Sequence, residues 1–170
     1  MAKIFILLCF FTLNLKAENL TVNLNPNSCN KHEFRKLLLK IYDIYLCKDS
    51  DNIKLNYHNI YQHNFSLMIH YNLDIKKTKL IASTIDEISR YHQLNLEEIQ
   101  YFQDKLTEIY PNISKGDVLA AKYSLNQNLV FYHNNKFQGQ ITIKDKIIKF
   151  LDIWLFKPNY YPKMQQDLVN

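Results

Sequence analysis

The sequence predicts an α+β domain in which helices cover one face of an antiparallel β-sheet. The chain has 170 residues, which suits one domain, and 47% of them are apolar, enough to form a core. The predicted elements run in the order strands, two helices, strands and further helices, which is typical of α+β proteins. Short turns join the consecutive strands, and strands joined in this way pair antiparallel.

The strand predictions rest on alternation of apolar and polar residues, because successive side chains of a strand point to opposite faces. Phe65–Leu73 alternates most cleanly. Upstream, Leu20–Leu24 predicts a short first strand, and Arg35–Leu46 predicts one long strand whose apolar side changes midway, as at a β-bulge. The remaining predicted strands are Val118–Leu125, Leu129–His133 and Phe137–Ile141.

Three apolar stripes with helical spacing predict helices. The first spans Leu80–Ile88, with Leu80, Ile81, Thr84, Ile85 and Ile88 on one side. Asn95 and Glu98 form a capping arrangement at the start of the second, which runs to Ile109. The third contains Ile147, Ile148, Leu151, Trp154 and Leu155, so we expect Trp154 to be buried against the sheet.

The N-terminus has the pattern of a secretory signal peptide, covering residues 1–17. A basic start precedes the apolar stretch Ile4–Leu15, and Ala17 is a small residue at a plausible cleavage point. The stretch is shorter than the about 20 residues of an ordinary membrane span. We therefore expect export to the periplasm and a mature domain of residues 18–170 with no stable membrane span, the alternatives being an uncleaved anchor or a buried strand.

Composition excludes several classes of function. Only two glycines are present, which argues against a glycine-rich phosphate loop, and we expect no cofactor. Cleavage after Ala17 would remove Lys3 and Lys16 and lower the formal charge from +5 to +3. The other basic residues are scattered, which argues against nucleic acid as a partner. His58, His63 and His70 match no zinc spacing, so we expect no metal site.

Cys29 and Cys47 would remain after cleavage, and export makes a disulfide possible. However, a single strand over Arg35–Leu46 would carry Cys47 away from Cys29, and a disulfide needs Cα atoms within about 7 Å. Two separate thiols are the favoured expectation, and pairing stays open.

The run Phe150-Leu151-Asp152-Ile153-Trp154-Leu155 follows the turn Lys115-Gly116-Asp117 and a predicted strand pair, and it precedes a small amphipathic tail near Pro162. This order of turn, strand pair, buried helix and tail resembles the bacterial chalcone-isomerase-like family. The resemblance implies an open-faced β-sandwich in a periplasmic protein, and some relatives in the wider family resemble fatty-acid binders. Phe156 replaces the glycine that the family places after this helix.

The resemblance also implies positions for a catalytic set. Catalytic members use an arginine before the first long strand, a threonine within it, a tyrosine and an asparagine near the first helix, and a hydroxyl residue in the last helix. The matching positions hold Asn30, Tyr42, Lys76, Ser83 and Ile153, in that order. Most of the set is absent, so we expect no chalcone cyclisation.

These observations predict a non-catalytic protein that binds a small apolar or amphipathic molecule such as a fatty acid. The candidate ligand-binding residues are Tyr42, Tyr71, Ser83 and Tyr123. Two alternatives remain: an isomerase or intramolecular lyase with a reorganised site at Tyr42, Lys76 and Ser83, and a structural envelope protein without a cavity. The sequence leaves the oligomeric state open.

Export gives the first testable prediction. Cleavage after Ala17 should leave Glu18 as the N-terminal residue of the mature protein. N-terminal sequencing of protein from the source cells measures this directly, and a mature chain that begins at Met1 or Ala2 would contradict it.

Overall fold

A computed structural model of the protein describes residues 29–49, 55–56, 58–126, 128–155 and 160–169. The strands are β1 (Cys29–Lys36), β2 (Leu39–Lys48), β3 (Phe65–Tyr71), β4 (Val118–Ser124), β5 (Asn128–His133) and β6 (Lys136–Ile141). The helices are α1 (Lys77–Tyr91), α2 (Leu96–Ile109), α3 (Lys144–Leu155) and α4 (Pro162–Val169). The predicted signal peptide, the strand Leu20–Leu24 and Phe156 lie outside the described residues.

The six strands form one sheet in which every neighbouring pair is antiparallel and the spatial order is the chain order. The helices lie on one face, where α4 contacts β1 and β2, α3 contacts β5, and α2 contacts β6. The predicted α+β class, with an antiparallel sheet and helices on one face, is confirmed. Within the described residues, no helix has the length and apolar character needed to cross a bilayer.

The pleat of β3 separates the two faces of the sheet. Phe65, Leu67, Ile69 and Tyr71 are all buried on the helix face. Ser66, Met68 and His70 alternate with them and point to the face without helices, which we call the open face. Because register partners lie on the same side, the same division extends from β3 to β2 and β4.

The prediction of one long strand over Arg35–Leu46 is wrong. The chain reverses at Leu37 and Leu38, and Lys36 pairs with Leu39 across this two-residue turn. Leu37 has a φ of 56°, a conformation that normally selects glycine, asparagine or aspartate. Since neither turn residue belongs to these types, the sequence contains no signal for the hairpin.

The hairpin also corrects the expectation of two separate thiols. Cys29 and Cys47 are register partners with Cα atoms 4.0 Å apart, and they form a disulfide. The distance argument failed because it treated the connecting segment as one extended strand, whereas the turn returns Cys47 to the start of β1.

The disulfide gives the second prediction. Replacing both cysteines in Cys29→Ser/Cys47→Ser should lower the free energy of unfolding by about 3 kcal/mol, because the unfolded chain gains loop freedom. Urea denaturation with and without reductant measures the effect. Reductant should destabilise the parent protein to the level of the double variant and leave that variant unchanged, and a parent protein indifferent to reductant would contradict the bond.

The capping arrangement of α2 is confirmed and extends into a tertiary contact. The Asn95 side chain accepts from the Glu98 amide at 2.9 Å, and Glu98 Oε2 accepts from the Asn95 amide at 3.2 Å. The other oxygen of Glu98 accepts from Lys146 and, at 2.5 Å, from Lys149 on α3. Hydrogen bonds from Lys146 and then Lys149 lower the pKa of Glu98 to about 2. One carboxylate therefore caps α2 and joins it to α3.

This contact gives the third prediction, for Glu98→Gln. A folded-state pKa below the ordinary 4.5 stabilises the fold above that value, and the stabilisation is lost as the pH falls toward about 2. At neutral pH the variant should be less stable by about 1–2 kcal/mol, since both lysines remain partly solvated. The difference should shrink in acid.

Urea denaturation across this pH range checks the prediction, with Glu97→Gln as the matched control. Glu97 lies in the same first turn of α2 but is exposed, and no ion pair links it to a described residue. Equal losses in the two variants would show that a general charge effect is responsible.

Candidate functional site

A cluster of aromatic rings fills one end of the helix face. Tyr42 on β2 and Tyr71 on β3 are register partners, with ring centroids 6.1 Å apart in an edge arrangement. Phe34 stacks on Tyr42 at 4.8 Å and meets the edge of Tyr161 at 5.3 Å. These residues come together because β1, β2 and β3 are adjacent and the chain just before α4 lies over β1.

Trp154 on α3 adds a polar atom to this aromatic cluster. Its side chain is 7% exposed, and within the described part of the chain its indole nitrogen completes no hydrogen bond of ordinary geometry. It faces the Tyr42 hydroxyl, and this proximity favours the ionised phenol. Burial has the larger effect and raises the pKa of Tyr42 well above its usual value. An indole N–H can only donate, so a bound acceptor would satisfy it.

Buried hydroxyls continue the cluster beneath α1. Thr84 donates to the Leu80 carbonyl at 2.8 Å, and its oxygen lies 3.4 Å from the Tyr110 hydroxyl. Burial raises the pKa of both Tyr71 and Tyr110 above the usual range. These phenols stay protonated at neutral pH, so they can donate hydrogen bonds but cannot act as bases.

The rim of the cluster carries the charged groups. Glu87 accepts from the Tyr161 hydroxyl at 3.2 Å, and its second oxygen lies 3.6 Å from Arg90. The Tyr91 hydroxyl accepts from the Tyr160 amide at 3.2 Å, and burial raises the pKa of Tyr91 to about 12. The cluster therefore combines an aromatic wall and neutral donors with one carboxylate near its edge.

The structure brings together only some of the predicted site residues. Tyr42 and Tyr71 meet, whereas Tyr123 pairs with Phe65 at the other end of β3, about 20 Å along the strand. Lys76 is exposed at the start of α1, and Ser83 is exposed on that helix.

The cluster contains polar groups that the sequence analysis did not select. Thr84, the residue after Ser83, supplies the buried hydroxyl under α1. A signal was available, because Thr84 belongs to the apolar stripe of that helix. Tyr110 and the indole nitrogen of Trp154 were also missed, and their roles depend on long-range packing.

Tyr123 belongs to a second polar network around Asp152. Its hydroxyl donates to the Tyr61 carbonyl at 3.1 Å, and the Tyr61 hydroxyl donates to Asp152 at 2.7 Å. His92 lies 2.9 Å from the other oxygen of Asp152. Asp152 is only 4% exposed, and burial raises its pKa. This network joins the turn at Ile60–Gln62 and the end of α1 to α3.

The open face carries a separate shallow cavity of about 480 Å³. It is lined by Tyr45, Met68, His70, Val118, Ala120, Asn134 and Asn135. Asn134 and Asn135 form the β5–β6 turn with positive φ angles of 47° and 65°, and they close one end. In the described segments, no group of three or more His, Cys, Asp or Glu side chains is arranged to hold a metal ion.

Two positions matched to the catalytic set have other surroundings. The Asn30 amide donates to the Leu168 carbonyl at 2.9 Å and holds α4 on β1. Ile153 is buried in the core. Neither supplies a cation or a hydroxyl to the cluster at Tyr42.

Comparison of the structure with solved structures identifies its fold. A fatty-acid binding protein from Arabidopsis thaliana matches 84% of this chain and 83% of its own, with a TM-score of 0.55 and 10% sequence identity. The chain has the chalcone-isomerase-like fold. The resemblance found in the C-terminal third is thus confirmed at the level of the fold. No protein-family model matches the sequence, and neither does any curated protein.

Proposed function

We propose that this protein is an exported, non-catalytic binder of a small amphipathic molecule, with the ligand's polar end at Tyr42 and Trp154. The observation that carries the proposal is the buried Trp154 N–H, which faces a protonated tyrosine inside an aromatic wall. Binding sites for small molecules combine apolar walls with a few placed polar groups. A ligand oxygen at this point would accept from both donors.

The same residues argue against an isomerase. Ring closure of a chalcone needs stabilisation of a developing enolate, and one such donor contributes about 2.7–4 kcal/mol. Asn30 is engaged by the α4 carbonyl of Leu168, and Ile153 offers no hydrogen bond. Burial keeps Tyr42 and Tyr71 protonated, which suits binding better than proton removal.

A fatty acid or its uncharged analogue is the ligand class that we propose. The Arabidopsis thaliana protein with this fold is a fatty-acid binding protein, which supports an apolar tail. The negative charge of Glu87 at the rim disfavours an ionised ligand head group, although the positive charge of Arg90, 3.6 Å from Glu87, reduces this effect. We therefore expect the fatty alcohol to bind at least as well as the acid.

Two observations support export. The N-terminal pattern is that of a signal peptide, and the Cys29–Cys47 disulfide suits an oxidising compartment such as the periplasm.

The fourth prediction tests the site with Trp154, the only tryptophan, as the reporter. Titration with laurate or dodecanol should change its emission saturably, because the ligand oxygen meets the indole. Tyr42→Phe should weaken binding about fivefold, the effect of one lost hydrogen bond. Calorimetry of Trp154→Phe should show a similar loss without using the reporter.

Tyr45→Phe is the matched control, since it also removes one tyrosine hydroxyl, but from the open-face cavity. If Tyr45→Phe weakens binding and Tyr42→Phe does not, the ligand occupies the open face and the site assignment is wrong. Absence of binding by any amphipath would favour a structural role. Clear acceleration of chalcone absorbance loss that disappears in Tyr42→Phe or Ser83→Ala would overturn the binder in favour of an isomerase.

A further inference from the structure

The turn between β1 and β2 presents three consecutive exposed leucines, Leu37, Leu38 and Leu39, which we call the leucine tip. Their exposures are 95%, 94% and 61%. They lie at the edge of the sheet, because β1 is an outermost strand. The disulfide closes the opposite end of the same hairpin. The tip is thus an apolar point on a stiffened two-strand support.

The needs of folding do not explain these leucines. Leu37 adopts a φ of 56° at the first position of a two-residue turn, where glycine avoids steric strain. Nearly complete exposure means that neither Leu37 nor Leu38 gains burial in return. These leucines disfavour the turn conformation and gain no burial within the fold. They therefore point to a contact with another molecule.

Basic residues flank the tip on both strands. Arg35 and Lys36 precede it, and Lys40 follows it. Arg35 pairs with Glu33, and Lys40 lies 2.9 Å from Glu33 and 2.9 Å from Asp43. Lys36 makes no ion pair with any described residue, and Lys31, farther along β1, lies 3.3 Å from Asp43. Cations therefore outnumber carboxylates on this hairpin.

We propose that the leucine tip inserts into the interface of an anionic lipid bilayer, with Lys36, Arg35 and Lys40 against the head groups. Apolar side chains ringed by cations fit such a surface, where each basic residue strengthens binding about fivefold. A stable protein interface needs about 800 Å² from each partner. A convex turn with three leucines bordered by charges offers a smaller apolar area. This proposal does not depend on the ligand site.

Leu38→Trp in the full chain tests the insertion. Its emission should shift to shorter wavelength and be quenched by vesicles of phosphatidylcholine and phosphatidylglycerol with brominated acyl chains, and much less by phosphatidylcholine alone. Phe137→Trp is the matched control, because Phe137 is also an exposed apolar residue, at 62%, but on β6. Trp154 and any lipid affinity of Ile4–Leu15 are common to both variants. Equal responses of the two variants, or none from Leu38→Trp, would overturn the proposal.

Two further variants separate a membrane role from a structural one. Leu37→Gly/Leu38→Ser relieves the turn, so its unfolding midpoint should match or exceed that of the parent, while vesicle co-sedimentation falls at least tenfold. Lys36→Gln should lower binding to anionic vesicles about fivefold and leave binding to neutral vesicles unchanged. Vesicle binding that is unchanged in these variants would show that the tip does not bind lipid. A dimer in sedimentation velocity that Leu38→Ser abolishes would show the same.

Discussion

The register of β3 between β2 and β4 decides which face of the sheet each side chain occupies. Phe65, Leu67, Ile69 and Tyr71 must share the helix face, because their burial forms the core. A slip of one residue would move all four to the open face and bury Met68 and His70 instead. The proposed ligand site depends on this constraint, since Tyr71 meets Tyr42 only in the observed register.

Asp152 helps to set the position of α3, one of the helices on this face. Every residue of α3 from Phe150 to Leu155 is buried, so apolar contacts alone would specify its rotation and height weakly. A buried carboxylate without partners is costly, and Tyr61 and His92 supply those partners here. The observed placement of α3 satisfies both contacts. That placement brings Trp154, two residues after Asp152, toward Tyr42, so the Asp152 network helps to position the proposed site.

Local patterns predicted the parts of the fold that local physics determines. Alternation from Phe65 predicted β3, the Asn95–Glu98 pair predicted the start of α2, and helical spacing predicted the burial of Trp154. The β1–β2 hairpin escaped prediction because its turn residues are leucines, which favour no turn. The disulfide was missed for the same reason, since pairing of Cys29 with Cys47 depends on that turn.

The candidate site was harder to predict because its chemistry depends on burial. The sequence suggests Tyr42, Tyr71 and Tyr123 as candidates. Only the structure shows that the rings of the first two are in contact and that Tyr123 is hydrogen-bonded within the Asp152 network. Ser83 and Thr84 are adjacent on α1, so their side chains point in different directions. That of Ser83 is exposed to solvent, and that of Thr84 is buried. Burial then fixes the function that these groups can perform. A phenol whose pKa is raised remains a donor, so the proposed site retains hydrogen bonding for a ligand.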